Sequence, residues 1–248
     1  MSWEEWLRRW DAQQQLHLPH REDRFSAITE ALAAAVGASP RVLDIGCGPG
    51  SLSVRVLRRL PEARIVAIDA DPVLLSIGRG ALGGDGRIQF LQADFRSQWI
   101  EGLPSPAFDA AVSTTAIHWL DLPDLVRFYA SLAEVIRPGG VVLNGDRLDF
   151  DADQLEIAAI ADRAGADGAA QPSEAGDAED WDSWWRAVEG EPALADAVAE
   201  RRRRGLGHPH GDIRQQYGFH RAALLAAGFV EVGTIWQRRS DRVLIAIR

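Results

Sequence analysis

A glycine-rich loop after a short apolar segment carries the clearest chemical signal in the sequence. Residues 41–45 are followed by Gly46-Cys47-Gly48-Pro49-Gly50-Ser51, and glycines at such a place let a ligand approach the backbone closely. A dinucleotide fingerprint would need a third glycine where Ser51 stands. Pro49 also removes an N–H from the loop. An acidic residue, Asp44, stands two residues before the first glycine of the loop, Gly46. The pattern therefore favours a ligand with an ammonium or sulfonium group over a diphosphate.

Two further carboxylates stand at the ends of predicted strands. Asp69 closes a strand at 64–69, where an acid can accept hydrogen bonds from both hydroxyls of a ribose. Asp94 follows a strand at 88–92 and precedes Phe95, an arrangement that suits an adenine amine beside an apolar wall. Each acid alone could be a helix cap or a turn residue. Three acids at successive strand ends around one glycine loop indicate a single ligand site.

The elements that must position these residues alternate along the chain. A capping box at Ser2 and Glu5 predicts an N-terminal helix, and Asp71-Pro72 predicts the start of a later one. Because apolar strands alternate with helices, we expect an α/β fold whose mostly parallel sheet has helices on both faces. The last two strands are expected to form an antiparallel C-terminal hairpin. The seven predicted strands are 41–45, 64–69, 88–92, 108–113, 141–144, 229–237 and 242–247.

Composition narrows the class of protein. The 248 residues carry a net charge of −9 and 46% hydrophobic residues, which excludes disordered and fibrous classes. No apolar segment approaches the roughly 20 residues of a membrane span, the N-terminus is unlike a signal peptide, and the single cysteine cannot form an internal disulfide. We therefore expect a cytoplasmic protein with no membrane partner. All 27 cationic residues are Arg, which indicates a GC-rich bacterial genome.

An acidic segment interrupts the alternation. Residues 151–200 contain 14 acidic residues and two Arg. We expect a helical lid insertion at 148–218, a core at 38–147 and 219–248, and a helical extension at 1–37. The acidic balance argues against a nucleic-acid partner. A run of arginines before Gly205 is typical of a helix C-terminus, but it keeps nucleic-acid binding open as an alternative; these are Arg201, Arg202, Arg203 and Arg204.

Five motifs, in this order, resemble those of class I S-adenosylmethionine-dependent methyltransferases. They are residues 44–50, Asp69, Ala93-Asp94-Phe95, residues 108–113 and Arg137-Pro138-Gly139-Gly140. The resemblance implies a Rossmann-like fold, S-adenosylmethionine as cofactor and methyl transfer as activity. It also implies that the glycine loop holds the methionine moiety and that the third and fourth strands reach the adenine and the sulfonium. The implied cofactor-binding residues are Asp44, Gly46, Cys47, Gly48, Gly50, Asp69, Ala70, Asp94, Phe95, Ser113 and Thr114.

Residues 113–120 are similar to the corresponding region of trans-aconitate-type small-molecule methyltransferases. This similarity implies a small-molecule acceptor without identifying it. The segment lacks the Asn-Pro-Pro-Tyr type motif of nucleic-acid amino-methylating relatives, and the only cysteine lies inside the loop, so a cysteine nucleophile is not available. No constellation of ligands predicts a metal site.

Methyl transfer is an in-line displacement in which the protein mainly aligns two reactants. A general base assists when the acceptor is a hydroxyl or amine, but not when it is an ionised carboxylate. His118, just past the fourth strand, is the candidate catalytic base, and its structural alternative is packing beside Trp119. His220 and Tyr217 are the runners-up. We expect O-methylation of a carboxylate or hydroxyl.

Tryptophans recur at helical spacing in two segments: Trp3, Trp6 and Trp10, and then Trp181, Trp184 and Trp185. Such stripes ordinarily pack an amphipathic helix onto a core. The competing hypothesis is an aromatic lid over the acceptor, which predicts as substrate-binding residues Trp10, Trp119, Trp184, Trp185 and Tyr217. We expect a monomer or homodimer. The remaining alternatives are a nucleic-acid methyltransferase and a cofactor-binding protein of the same fold without methyltransferase activity.

Overall fold

The predicted strands pair in one sheet of the order β3-β2-β1-β4-β5-β8-β7, and a short strand, β6, pairs with the end of β5. The computed structural model describes residues 1–18, 20–104, 107–166, 179–206 and 215–248. The strands are β1 (Arg41–Ile45), β2 (Arg64–Asp69), β3 (Ile88–Gln92), β4 (Phe108–Thr114), β5 (Ile136–Asp149), β6 (Gln215–Gln216), β7 (Glu231–Arg238) and β8 (Asp241–Ile247).

The pairing confirms a mostly parallel sheet with an antiparallel C-terminal hairpin. Strands β1 to β5 run parallel, and β8 runs antiparallel to both β5 and β7. Strand β5 is much longer than predicted, because it includes Arg137-Pro138-Gly139-Gly140 at its start and continues to Asp149. Strand β6 was not predicted, since two glutamines carry no apolar pattern.

Helices cover both faces of the sheet. They are α1 (Trp3–His17), α2 (Arg21–Ala35), α3 (Ser51–Arg59), α4 (Pro72–Leu82), α5 (Leu122–Val135), α6 (Leu155–Ala166), α7 (Trp181–Glu189), α8 (Ala195–Arg203) and α9 (Tyr217–Ala226). Helices α1 and α4 start at the predicted caps: the Ser2 hydroxyl accepts from the Glu5 N–H at 3.2 Å, and the Asp71 carboxylate accepts from the Val73 N–H at 2.9 Å. In the part of the chain described, no helix is long and apolar enough to cross a membrane.

Three apolar clusters account for the buried interior. Two lie on opposite faces of the sheet, one centred on α5 and α9 and the other on α2 and α3. The third joins α1, α4, α7 and α8 around Trp6 and Trp184. Helices α1, α7 and α8 therefore pack together against α4.

The division into extension, core and insertion stays a prediction. Strand β5 ends at Asp149 and helix α9 begins at Tyr217, so regular structure crosses the expected boundaries at 148 and 218 by up to two residues. Residues 165–176, rich in glycine, alanine, proline and serine, predict a break in the helical insertion, and most of this stretch lies outside the described residues.

Candidate active site

A cavity of about 650 Å³ lies at the carboxyl ends of β1, β2 and β4. Its walls include the glycine loop, the ends of these strands, Trp10 from α1, and Arg201 and Leu206 at the end of α8. Ligands in open parallel sheets bind outside the carboxyl ends of the strands, next to the point where the strand order reverses. Here that point lies between β1 and β4.

The glycine loop needs glycine for two physical reasons. Gly46 and Gly48 have φ angles of +66° and +54°, a left-handed conformation that costs other residues roughly 1–2 kcal/mol. A Cβ on Gly46 would lie 2.2 Å from the Ala116 Cβ, so the loop and the segment after β4 touch at this glycine. Gly50 also has a positive φ, of +95°, but it is not part of the cavity wall, since its missing Cβ faces Leu82 and Phe90.

Two buried carboxylates stand beside the loop. Asp44 accepts from the Ser53 hydroxyl at 2.6 Å, and burial raises its pKa to about 7. Asp69 accepts from the Gly48 N–H and the Asp71 N–H, both at 2.8 Å, and burial raises its pKa to about 6. A cation in the cavity would stabilise the ionised form of both groups. The site therefore fits a ligand that brings positive charge.

Cys47 lies inside the loop and is the only cysteine of the chain. Its side chain is buried and borders the cavity. Burial raises the pKa of the thiol, and the nearby carboxylates of Asp69 and Asp44 raise it further. The sulfur is therefore held as a neutral thiol and supplies no nucleophile.

Asp94 and Phe95 also line the cavity. The Asp94 carboxylate accepts three hydrogen bonds from the Arg96 guanidinium, at 2.6, 2.9 and 3.2 Å, and these bonds lower its pKa. Phe95 packs edge-to-face on Trp99 and Phe128 at 5.5 and 5.3 Å. One carboxylate and one apolar ring are thus placed together at this end of the cavity.

Ser113 and Thr114, the two residues expected near the sulfonium, take different positions at the end of β4. Thr114 lines the cavity, but Ser113 is buried in the sheet and donates its hydroxyl to the Ile45 carbonyl at 2.9 Å. Successive strand residues point to opposite faces, which explains why Ser113 lies away from the cavity.

His118 borders the cavity and is held by a carboxylate that the sequence analysis missed. Its Nδ1 lies 2.8 Å from Asp146 Oδ1, and its backbone N–H donates to Asp146 Oδ2 at 3.3 Å. Asp146 is 1% exposed; burial alone would raise its pKa, but the contact with His118 lowers it overall. In the sequence, the only sign of Asp146 was an acidic residue that follows the apolar part of β5. The strand was predicted to end before this residue.

A second, polar cleft of about 430 Å³ adjoins the cavity. Thr115 and His118 line both. Thr115 has a φ of +54° and its hydroxyl accepts from the buried Arg24 guanidinium at 3.0 Å. Arg24 also donates to the Gly145 carbonyl and to Asp241 at 3.1 and 3.2 Å. Arg24 therefore ties α2 to the segment after β4 and to the start of β8.

The two runner-up bases lie outside both spaces, which corrects the expectation that they reach the site. His220 is fully buried between the Tyr129 hydroxyl and the Gln215 side chain, each at 2.7 Å, and burial lowers its pKa to about 4. Tyr217 packs under the Arg242 guanidinium, 4.9 Å from the ring centre. Both residues hold α9 and β6 in place.

The tryptophans divide between wall and core. Trp10 and the 41% exposed Trp119 line the cavity. Trp184 is fully buried, edge-to-face with Trp6 and Trp10 at 5.9 and 5.0 Å, and Trp185 packs under the Arg201 guanidinium; neither is part of the wall. Trp181, which was not assigned to the site, lines the cavity instead.

The arginine run ends α8 as expected, and much of it is bound within the chain. Gly205 follows the helix with a φ of +63°. Arg201 pairs with Asp71 at 2.6 Å, Arg202 with Glu189 at 3.0 Å, and Arg204 donates to the Ala70 carbonyl at 2.8 Å. Ala70 itself lines the cavity, so the end of α8 braces the loop after β2.

The described residues contain no group of three or more histidine, cysteine or acidic side chains placed to hold a metal ion. Residues 42–140 match a family described as "Methyltransferase domain". The trans-aconitate 2-methyltransferase of Streptomyces coelicolor is 32% identical over 147 residues, which cover 58% of this chain and 46% of that protein. The chain thus spans about half the length of this curated relative.

Solved structures share the fold at low identity. Human N-acetylserotonin methyltransferase in complex with S-adenosylmethionine has a TM-score of 0.56 at 16% identity, covering 97% of this chain and 56% of that one. A 4+2 cyclase, SpnF, has a TM-score of 0.53 at 20% identity, covering 86% and 60%. One fold therefore serves a methyltransferase and a cyclase.

Proposed function

We propose that this chain, whose residues 42–140 match the methyltransferase domain family, binds S-adenosylmethionine and methylates an oxygen of a small organic acceptor. The observation that carries the proposal is the pair of buried carboxylates, Asp44 and Asp69, around a glycine loop, with His118 and Asp146 at the edge of the same cavity.

The residues that would hold the cofactor are Asp44, the loop at 46–48, Asp69, Ala70, Asp94, Phe95 and Thr114, all at the cavity wall. The cofactor, when bound, supplies a methyl group already activated by a positively charged sulfur. Asp44 and Asp69 favour that charge, because each is buried and ionises more readily beside a cation. Gly50 and Ser113 contribute by packing instead of by contact.

The chain's own contribution to the reaction is alignment and, for some acceptors, proton removal. Asp146 fixes the orientation of the His118 imidazole through Nδ1. With a hydroxyl acceptor His118 takes the proton, whereas an ionised carboxylate needs no base. Trp10, Trp119 and Trp181 give the cavity an aromatic wall that limits water around the reacting atoms. The relative from Streptomyces coelicolor is named for trans-aconitate, a carboxylate, which supports oxygen as the methylated atom.

Two alternatives make different predictions. A cofactor-binding protein without methyl transfer is favoured only by the fold shared with the cyclase. A nucleic-acid methyltransferase would use the arginine run, but Arg201, Arg202 and Arg204 already bind within the chain. Steeply salt-dependent RNA binding that disappears on neutralising these arginines would support it.

Calorimetric titration with S-adenosylmethionine and S-adenosylhomocysteine tests the cofactor site. We expect micromolar binding that Asp69→Ala weakens at least a hundredfold, because the substitution removes the bonds to the Gly48 and Asp71 N–H groups. Asp153→Ala removes an exposed carboxylate and is the matched control, with unchanged affinity.

Methyl transfer is then measured with radiolabelled cofactor on phenols and small carboxylic acids. Ester or ether products support the proposal. Cofactor binding without transfer to any acceptor would favour the protein without methyltransferase activity, and a folded chain that binds neither ligand would refute the cofactor site.

A further inference from the structure

Two arginines at the end of α8 make contacts that the proposed function does not use. Arg201 and Arg204 reach from this helix to the loop after β2. Their partners there, Asp71 and Ala70, line the cofactor cavity. Helix α8 lies outside residues 42–140, the stretch that matches the methyltransferase family. Its contacts therefore add to the cofactor site something that the shared motifs do not contain.

One peptide unit of this loop is bound at both of its polar groups. The Ala70 carbonyl accepts from the Arg204 guanidinium at 2.8 Å. The N–H of the same peptide belongs to Asp71 and donates to the Asp69 carboxylate at 2.8 Å. A donor bound to the carbonyl polarises the peptide and strengthens the bond that its N–H makes. Arg204 therefore supports Asp69 through the peptide between them.

Arg201 anchors the residue that supplies this N–H. Its Nε lies 2.6 Å from Asp71 Oδ2, and Asp71 Oδ1 caps α4 by accepting from the Val73 N–H at 2.9 Å. The Arg201 guanidinium also packs over the Trp185 ring, 4.0 Å from its centre, so its own position is fixed. Both oxygens of the Asp71 carboxylate are thus bound, which holds its backbone where the N–H meets Asp69.

The ribose of the cofactor is the part that depends on Asp69. A carboxylate at the end of this strand can accept hydrogen bonds from both hydroxyls of a ribose. Burial raises the pKa of Asp69 to about 6, and the hydrogen bonds from the Asp71 and Gly48 N–H groups oppose that rise. A fixed Asp71 N–H therefore keeps Asp69 both oriented and more readily ionised.

We propose that Arg201 and Arg204 are positioning residues for the cofactor ribose. They hold the peptide between Ala70 and Asp71, and this peptide holds Asp69 in place to accept from the ribose hydroxyls. The inference rests on the assignment of the cavity to S-adenosylmethionine and adds to it two residues from α8. The family-matched stretch then does not complete the ribose subsite by itself.

Two ligands that differ only in the ribose test the inference without requiring turnover. S-adenosylhomocysteine and its dideoxy analogue, which lacks both ribose hydroxyls, are titrated calorimetrically into the wild-type chain and into Arg201→Gln/Arg204→Gln. We expect the variant to bind S-adenosylhomocysteine about tenfold more weakly and the analogue within about twofold of the wild type, because the analogue offers Asp69 no hydroxyls. Arg201→Lys/Arg204→Lys keeps both charges and should recover most of the lost affinity.

The matched control is Arg202→Gln/Arg203→Gln. It removes the same charge from the same helix, at two exposed residues outside the cavity wall, and should leave the affinity for both ligands unchanged. Equal weakening of the two ligands in Arg201→Gln/Arg204→Gln would overturn the inference, because α8 would then only cover the cavity. Unchanged binding of S-adenosylhomocysteine in that variant would overturn it as well.

The outcome for the proposed function is separate. A folded wild-type chain that binds neither ligand would refute the cofactor site and this inference with it. Ribose-dependent weakening in the variant, combined with no methyl transfer by the wild type to any acceptor, would refute the proposed function and leave the positioning role of Arg201 and Arg204 standing.

Discussion

The cofactor cavity and the polar cleft meet at Thr115 and His118, but different kinds of contact hold them. In the cavity, Asp69 accepts hydrogen bonds from two backbone N–H groups of the loops after β1 and β2. In the cleft, the wall also depends on contacts between side chains far apart in the chain, such as Arg24 with Asp241. A backbone N–H donor remains after almost any side-chain substitution, whereas a contact between two side chains is lost when either residue is replaced. We infer that acceptor preference changes more easily than cofactor preference.

The largest effect on activity is expected at His118, which lines both the cavity and the cleft. His118→Asn should lower kcat at least a hundredfold for hydroxyl acceptors, because proton transfer by a positioned side chain contributes about 10²–10⁴-fold. For carboxylate acceptors the loss should be less than about threefold. Initial rates with both acceptor classes measure the difference, and His20→Asn, outside both spaces, is the control. Equal losses for the two classes would remove His118 as a base.

Gly46 in the loop beside the cavity has a left-handed backbone, so its substitution is expected to lower the stability of the protein. Gly46→Ala should lower the free energy of unfolding by about 3 kcal/mol, from the left-handed backbone and the overlap with Ala116. Urea denaturation measures this change. Gly84 has open space around it, so Gly84→Ala should leave stability nearly unchanged. A tolerated Gly46→Ala would mean that the loop relaxes more freely than the contact distance indicates.

The acidic cavity also predicts a pH dependence. Asp44 and Asp69, with pKa values of about 7 and about 6, are protonated at low pH and cannot then attract a cation. Affinity for S-adenosylmethionine should rise about tenfold from pH 6 to pH 8 and then level off. Titrations at several pH values check this, and Asp44→Asn should flatten the profile.

The same raised pKa values act in the opposite direction on the stability of the ligand-free chain. Because the folded chain holds these protons more tightly than the unfolded chain, its unfolding free energy should fall as the pH rises from about 4 to about 7.

A cofactor affinity that is constant between pH 6 and pH 8 would contradict the assigned role of the two carboxylates.

The smallest effects concern the aromatic wall. Trp181→Ala should raise the acceptor KM by a few fold with little loss of stability, because Trp181 lines the cavity. Trp184→Phe should do the reverse: it lowers the free energy of unfolding by about 1–3 kcal/mol and leaves the KM unchanged, because Trp184 lies wholly in the core. Steady-state kinetics and urea denaturation separate the two outcomes. A raised KM for Trp184→Phe would restore the original lid hypothesis for that residue.

Local patterns made much of the fold and of the cofactor cavity predictable. Strands β1, β2 and β3 have the predicted bounds, and helix caps such as Asp71 act within three residues of the groups they bind. The carboxylates at strand ends were also visible, because a parallel sheet brings the ends of its strands together.

The cleft and the aromatic wall were not predictable in the same way. Asp146 pairs with a histidine 28 positions earlier, and Arg24 with an acid 217 positions later. Helical spacing placed Trp181 and Trp184 in one stripe, but only the packing against Trp6 and Trp10 decides which of them faces the core.

The position of Cys47 has a practical consequence for handling the protein. The chain's only thiol borders the cofactor cavity and is kept protonated by its surroundings. Alkylating reagents act on the thiolate, so labelling should be slow, and a bound ligand should make it slower. The rate at which Cys47 takes up such a reagent can therefore report how much of a sample, purified or inside cells, carries its cofactor.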